Sequence, residues 1–160
     1  MLTFDAIYQT YWQKIYRLCL GYMNDHAMAQ DVAQETFITV WKQLSTFRQE
    51  SSIGTWIFRI ATNTCLRQLE RTKRTVHTDL PIDLPTQEVP DIEEQIQLLY
   101  KSIGELPELD RIIISLELED VKQAEIAAIV GLSETNVRVK IHRIKERLTQ
   151  KLQAHGEQGH

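Results

Sequence analysis

The chain has 160 residues, of which 42% are hydrophobic and 25% charged, so it can fill a packed core and is not expected to be wholly disordered. No apolar run approaches the ~20 residues a membrane span needs, and the opening MLTFDAIYQTYW lacks the basic-then-apolar layout of a secretory signal. A cytoplasmic protein without membrane insertion is therefore expected. The net charge of −4 at first argues against a nucleic-acid partner.

That average conceals a segregation. Residues 1–75 hold nine Lys/Arg against six Asp/Glu, and residues 76–94 hold six acids and no Lys or Arg. Residues 138–151 then carry six basic residues against one acid. Two basic stretches thus flank an acidic connector.

In chain order, residues 3–23 place Phe4, Ile7, Tyr8, Tyr11, Ile15 and Leu18 at helical spacing. A turn is expected over Gly21–Asp25, with Asn24 or Asp25 capping the next helix. That helix runs to about Leu44, with Ala33, Phe37, Val40, Trp41 and Leu44 on its inner face. The stretch FRQESS (47–52) breaks the pattern, and a helix resumes from Thr55 to about Arg74. The segment 76–91 holds Pro81, Pro85 and Pro90, each removing a backbone donor and disfavouring helix in the residue before it. It reads as an extended acidic linker.

Beyond it, a helix over Ile92–Ile103 stops at Gly104, and Pro107 suits the start of the next, which reaches about Glu119. Lys122–Val130 stops at Gly131, and Ser133 caps a last long helix to about Leu152. Residues 154–160 read as a frayed tail. The fold class expected is all-α: two small helical domains, 1–75 and 92–153, joined by the linker. Cys19 and Cys65 lack a CxxC partner and read as buried thiols of a reducing compartment.

Gln123–Ile144 has the make-up of a helix-turn-helix. Ile126, Ala127 and Val130 point inward from a short helix, with Ala127 small enough for two helices to cross closely. Gly131 permits a sharp turn, and Val137, Ile141, Ile144 and Leu148 form the inner stripe of the second helix. Asn136, Arg138, Val139, Lys140, His142 and Arg143 lie largely off that stripe, with Lys145 and Arg147 beyond them. Cations there suit phosphates, Arg can read guanine, and an exposed Val139 can touch a thymine methyl. In the first half, Arg59, Asn63, Arg67, Arg71 and Arg74 share one helix side, a stripe able to follow a nucleic-acid backbone. A solvated helix face is the plainer alternative for this stripe. On the preceding helix, Asp31, Gln34, Glu35 and Ile38 lie opposite the apolar stripe. Like charges at i,i+4 there suggest a basic protein partner, with a solvated helix face as the plainer alternative.

These stretches together resemble the extracytoplasmic-function (ECF) group of bacterial RNA polymerase sigma factors, along nearly the whole chain. Ala29–Trp41 is similar to the segment that docks on the polymerase clamp, and Phe47–Thr64 to the promoter-melting, −10-reading segment. LPELDR (106–111), EIAA (125–128) and VRVKIHR (137–143) resemble the −35-binding domain. The resemblance implies a factor that binds core RNA polymerase, recognises −35 and −10 promoter elements, and promotes melting. Asp31, Gln34, Glu35, Ile38 and Trp41 would meet polymerase. Gln49, Glu50, Ser51, Ser52, Ile53 and Asn63 would accept a flipped −10 base, with Arg59, Arg67 and Arg74 on the opened strand's phosphates. Asn136, Arg138, Val139, Lys140, His142 and Arg143 would meet duplex −35 DNA. The resemblance also implies an anti-sigma factor partner, a specialised regulon and, most simply, a monomer when free.

One departure is Thr135-Asn136-Val137 where many members have Gly-Thr-Val, so no promoter sequence transfers. The rival reading is a stand-alone helix-turn-helix regulator, which leaves Arg59–Arg74 and the acidic helix face without a role. An enzyme is not expected: His26, His77, His142, His155 and His160 show no metal-ligand spacing, and no nucleophile elbow or phosphate-cradling glycine loop appears. No cofactor or metal is expected.

Overall fold

The structure is a computed structural model and describes residues 3–74 and 94–158, with side chains through 71 and 154 of the two stretches. The linker 76–91, Ile92 and the Arg74 side chain lie outside the described residues. The described residues form seven α-helices: α1 Phe4–Met23, α2 His26–Gln43, α3 Ile53–Arg74, α4 Glu94–Gly104, α5 Glu108–Leu118, α6 Gln123–Val130 and α7 Glu134–Gln158. A single 3₁₀ turn, Leu44–Thr46, follows α2, and no strand occurs among the described residues.

Local chemistry sets the boundaries. Thr3 Oγ1 accepts from the Ala6 N–H at 3.2 Å and starts α1. Asn24 ends it in the left-handed region (φ 54°), its N–H donating to the Leu20 carbonyl. Asp25 at once caps α2 by accepting from the Met28 N–H at 3.0 Å. The turn is therefore only Asn24-Asp25, and Gly21 lies within α1. Gly21 is needed for proximity: a Cβ there would stand 2.3 Å from Ser115 Oγ on α5. Ser52 caps α3 through the Thr55 N–H (3.2 Å), so α3 starts two residues earlier than the apolar pattern indicates. The frayed tail expected over 154–160 is helical through Gln158, a continuation that no proline interrupts.

Helix α1 is the organising element. One side packs on α2 and α3 through Ile7, Ile15, Leu18, Ala33, Phe37, Ile57 and Ala61, all buried. Its C-terminal half also packs on α4 and α5. The second half builds its own core from Ile103, Ile113, Ile126, Val137, Ile141 and Leu148. Each such buried side chain stabilises the fold by about 1.5–3 kcal/mol relative to exposure. The two cores merge into one continuous cluster across the α1–α5 contact. Cys19 and Cys65 are free buried thiols, sulfur to sulfur 3.7 Å, between α1 and α3.

Candidate nucleic-acid and polymerase interfaces

The helix-turn-helix forms as its residues dictate. Gly131 adopts φ 77°, and its N–H and that of Leu132 both donate to the Ala127 carbonyl, closing α6 tightly. Ser133 Oγ accepts from the Asn136 N–H at 3.1 Å and starts α7. Val137, Ile141, Ile144 and Leu148 are buried against α4, α5 and α6. At 100° per residue, Val139 points almost directly away from that stripe, and it is 42% exposed. Asn136, Arg138, His142 and Arg143 are exposed around it.

The cations of α7 divide into two sets, which periodicity alone did not separate. Lys140 Nζ lies 3.8 Å from Asp110 Oδ1, and Lys145 Nζ 3.4 Å from Glu117 Oε1, both acids on α5. These lysines fasten α7 to its neighbour, and their charge is partly neutralised. Lys151 likewise meets Glu105 at 3.1 Å. His142 Nε2 lies 3.5 Å from Glu146 within α7. Arg138, Arg143 and Arg147 are exposed and make no ion pair among the described residues. Arginine, planar and always charged, is thus the cation left outward on this helix.

On α3, Arg59, Asn63, Arg67 and Arg71 are exposed along one side, opposite buried Ile57, Ala61 and Cys65. Arg67 donates to Thr64 Oγ1 at 3.4 Å within the helix. The loop ahead of α3 is folded back on it, Phe47 packing on Trp56 with ring centroids 4.9 Å apart. Gln49 sits at φ 58°, and Gln49, Glu50 and Ser52 are exposed while Ser51 and Ile53 are half-buried. Ser52 is occupied by capping α3. Asn63 stands two turns beyond Trp56, about 10 Å along the axis at ~1.5 Å per residue. Seven residues apart, Trp56 and Asn63 fall on nearly the same side of α3.

The α2 face opposite the core exposes Asp31 and Gln34, leaves Glu35 half-buried, and carries two large apolar side chains, Ile38 (54% exposed) and Trp41 (65%). Trp41 is not on the inner face of α2, where the apolar count had placed it. Phe37 and Val40 fill that position, and Trp41 follows Val40 by 100° toward solvent.

Residues 7–75 match the Sigma-70 region 2 family and residues 96–148 the Sigma-70 region 4 family. The chain is 31% identical to RNA polymerase sigma-H factor of Pseudomonas aeruginosa over 94% of this chain and 86% of that one. It is 30% identical to the ECF RNA polymerase sigma-E factor of Escherichia coli, with the same shares covered. This chain is a member of the ECF group of RNA polymerase sigma factors. Among solved structures, the sigma factor RpoE of Bartonella quintana, in complex with the anti-sigma factor NepR, has the same fold (TM-score 0.76, 20% identity, 94% of this chain and 96% of that one). CnrH in complex with the cytosolic domain of CnrY follows at TM-score 0.71 and 22% identity, covering 94% of this chain and 88% of that one. In this sigma factor the two matched regions correspond to α1–α3 and α4–α7. Among its described residues, no helix is long and apolar enough to cross a membrane.

Proposed function

We propose that this sigma factor docks on core RNA polymerase through α2, reads −35 duplex DNA with α7, and holds melted −10 DNA on α3 and its preceding loop. The observation that carries the reading is the pair of separate outward cationic faces, Arg59/Arg67 on α3 and Arg138/Arg143 on α7, on one chain of this family. A lone helix-turn-helix regulator has work for only the second.

Each surface has a distinct physical task. On α2, Trp41 and Ile38 offer the apolar anchor of a protein contact, and Asp31 and Glu35 select a basic partner. On α7, Arg138 and Arg143 meet phosphate or guanine while Val139 rests against a thymine methyl, with His142 and Asn136 beside them. Lys140 contributes mainly by holding α7 in place. On α3, the Gln49–Ile53 loop and Asn63 accept an extruded −10 base, with Arg59, Arg67 and Arg74 on phosphates. Flipping a base costs a few kcal/mol of stacking, which these contacts offset. The factor works by binding and performs no chemistry of its own, in the cytoplasm where polymerase resides. Because one similar solved structure is a sigma factor in complex with an anti-sigma factor, an anti-sigma partner is part of this reading.

Permanganate footprinting of the assembled holoenzyme on a cognate promoter tests the division of labour. Asn63→Ala should lower the reactivity of −10 thymines while leaving closed-complex formation close to wild type. Equal loss of both steps would sink the assignment of Asn63 to the melted strand.

A further inference from the structure

Gly54 stands in the first turn of α3 without the usual reasons for a glycine. It ends no helix, and Gly131 is the glycine with positive φ among the described residues. Alanine would favour the helix more. What calls for glycine here is Tyr11 of α1. A Cβ at Gly54 would stand 2.9 Å from Tyr11 Oη and 3.3 Å from its Cε1, too close for a methyl group to sit without displacing something.

The Tyr11 ring has little room to retreat. It meets Phe58 edge-on, with centroids 6.4 Å apart and planes at 86°, and Phe58 is buried in the core. Lys14 Nζ stands over the same ring, 5.7 Å from its centroid.

The first turn of α3 is in turn tied to the loop assigned above to the extruded −10 base. Ser52 Oγ accepts from the Thr55 N–H at 3.2 Å and shares a hydroxyl hydrogen bond with Thr55 Oγ1 at 2.8 Å. The Ser52 carbonyl accepts from the Trp56 N–H at 3.1 Å. Phe47, packed on Trp56, holds the other end of the loop. Between these ties Gln49 adopts φ 58°, a conformation that costs a non-glycine residue and persists only where its surroundings impose it. A loop fastened at both ends and strained between them has little slack. A shift at Gly54 therefore passes through Ser52 to Gln49–Ser51.

We propose that Tyr11 is a positioning residue for −10 recognition: its phenol, met by the bare backbone of Gly54, sets the first turn of α3 and with it the Gln49–Ile53 loop. The proposal rests on the promoter reading given above. Tyr11 acts through Gly54 and Ser52, without itself touching DNA. Ordinary van der Waals contact begins near 3.4 Å, so an alanine methyl at position 54 displaces the turn or the ring. The displacement is about half an ångström, the limit within which a binding site keeps its geometry.

The test uses the holoenzyme and a promoter set carrying each base in turn at each −10 position, read by run-off transcription. Wild type should show its steepest preference at the extruded base. Gly54→Ala should flatten that preference about tenfold, while affinity for −35 duplex, which depends on α7, stays at the wild-type value and shows that the chain is folded. Tyr11→Phe removes the oxygen that the methyl meets and keeps the ring. Gly54→Ala/Tyr11→Phe should therefore regain most of the preference, whereas a general weakening of the domain would only deepen with a second substitution. Unaltered preference in Gly54→Ala, or a double variant as flat as the single one, would overturn the positioning role. A wild-type holoenzyme that transcribes yet shows no preference at any −10 position would instead overturn the −10 reading, and the role of Tyr11 with it.

Discussion

Arg143→Ala compared with Lys145→Ala isolates what the structure adds to the charge pattern of α7. Both residues are exposed cations on the same helix, two positions apart, and simple counting makes them equivalent. The structure does not. Arg143 has no ionic partner among the described residues, while Lys145 Nζ lies 3.4 Å from Glu117, whose side chain is only 21% exposed. A cation that neutralises a DNA phosphate releases counterion and contributes about 0.9 to the slope of log affinity against log salt. Arg143→Ala should therefore flatten that slope by about 0.9. Lys145→Ala should flatten it by less than half as much, because the ammonium is already compensated. Its main effect falls on stability: an exposed ion pair of this kind contributes about 0.2–1 kcal/mol. Fluorescence anisotropy of holoenzyme on labelled −35 duplex, repeated across a salt series, gives both slopes directly. Equal slope changes for the two variants would refute the division of α7 into fastening lysines and reading arginines.

Three further outcomes follow from the same geometry. Trp41→Ala on the exposed face of α2 should weaken core polymerase binding by about 2 kcal/mol or more, near thirtyfold, with an unchanged melting temperature; a loss of stability instead would mean Trp41 is a packing residue. Val139→Ser should relax discrimination at a single thymine of the −35 element by about 1 kcal/mol, read by competition between thymine and uracil at each position, and indifference to the methyl at every position would remove Val139 from the reading face. Ile141→Ala, buried beneath α7, should cost about 2–5 kcal/mol. That lowers the thermal midpoint by roughly 4–20 °C at the 2–4 °C per kcal/mol expected for this size, and a shift under 2 °C by calorimetry would show that α7 does not rest on that side chain.

Helix positions and the helix-turn-helix were legible because they depend on local signals. Gly104 and Gly131 end helices, Asp25 and Ser133 accept capping hydrogen bonds, and the stripe Val137/Ile141/Ile144/Leu148 keeps a helical period. What escaped sequence reasoning depends on contacts between distant residues. Gly21 looked like a turn because glycine usually signals one; its actual reason is Ser115, on the other half of the chain. Trp41 was counted inward because an aromatic at the edge of a stripe falls on either side within one residue's 100° step. Lys140 and Lys145 read as DNA contacts because nothing local reveals Asp110 and Glu117 opposite them. The Arg17–Glu119 ion pair carried no signal at all, its two residues being 102 apart in sequence. The only available hint was an arginine at the rim of the apolar stripe of α1, which is common on any helix.

Run-off transcription with purified core polymerase and the full chain, on promoters drawn from its own genome, tests the central claim most directly. The account predicts promoter-specific transcripts only when polymerase and this chain are both present, and their loss with Arg143→Ala or Asn63→Ala. Tight binding of duplex DNA by the chain alone, with no association with polymerase and no specific transcript, would contradict it.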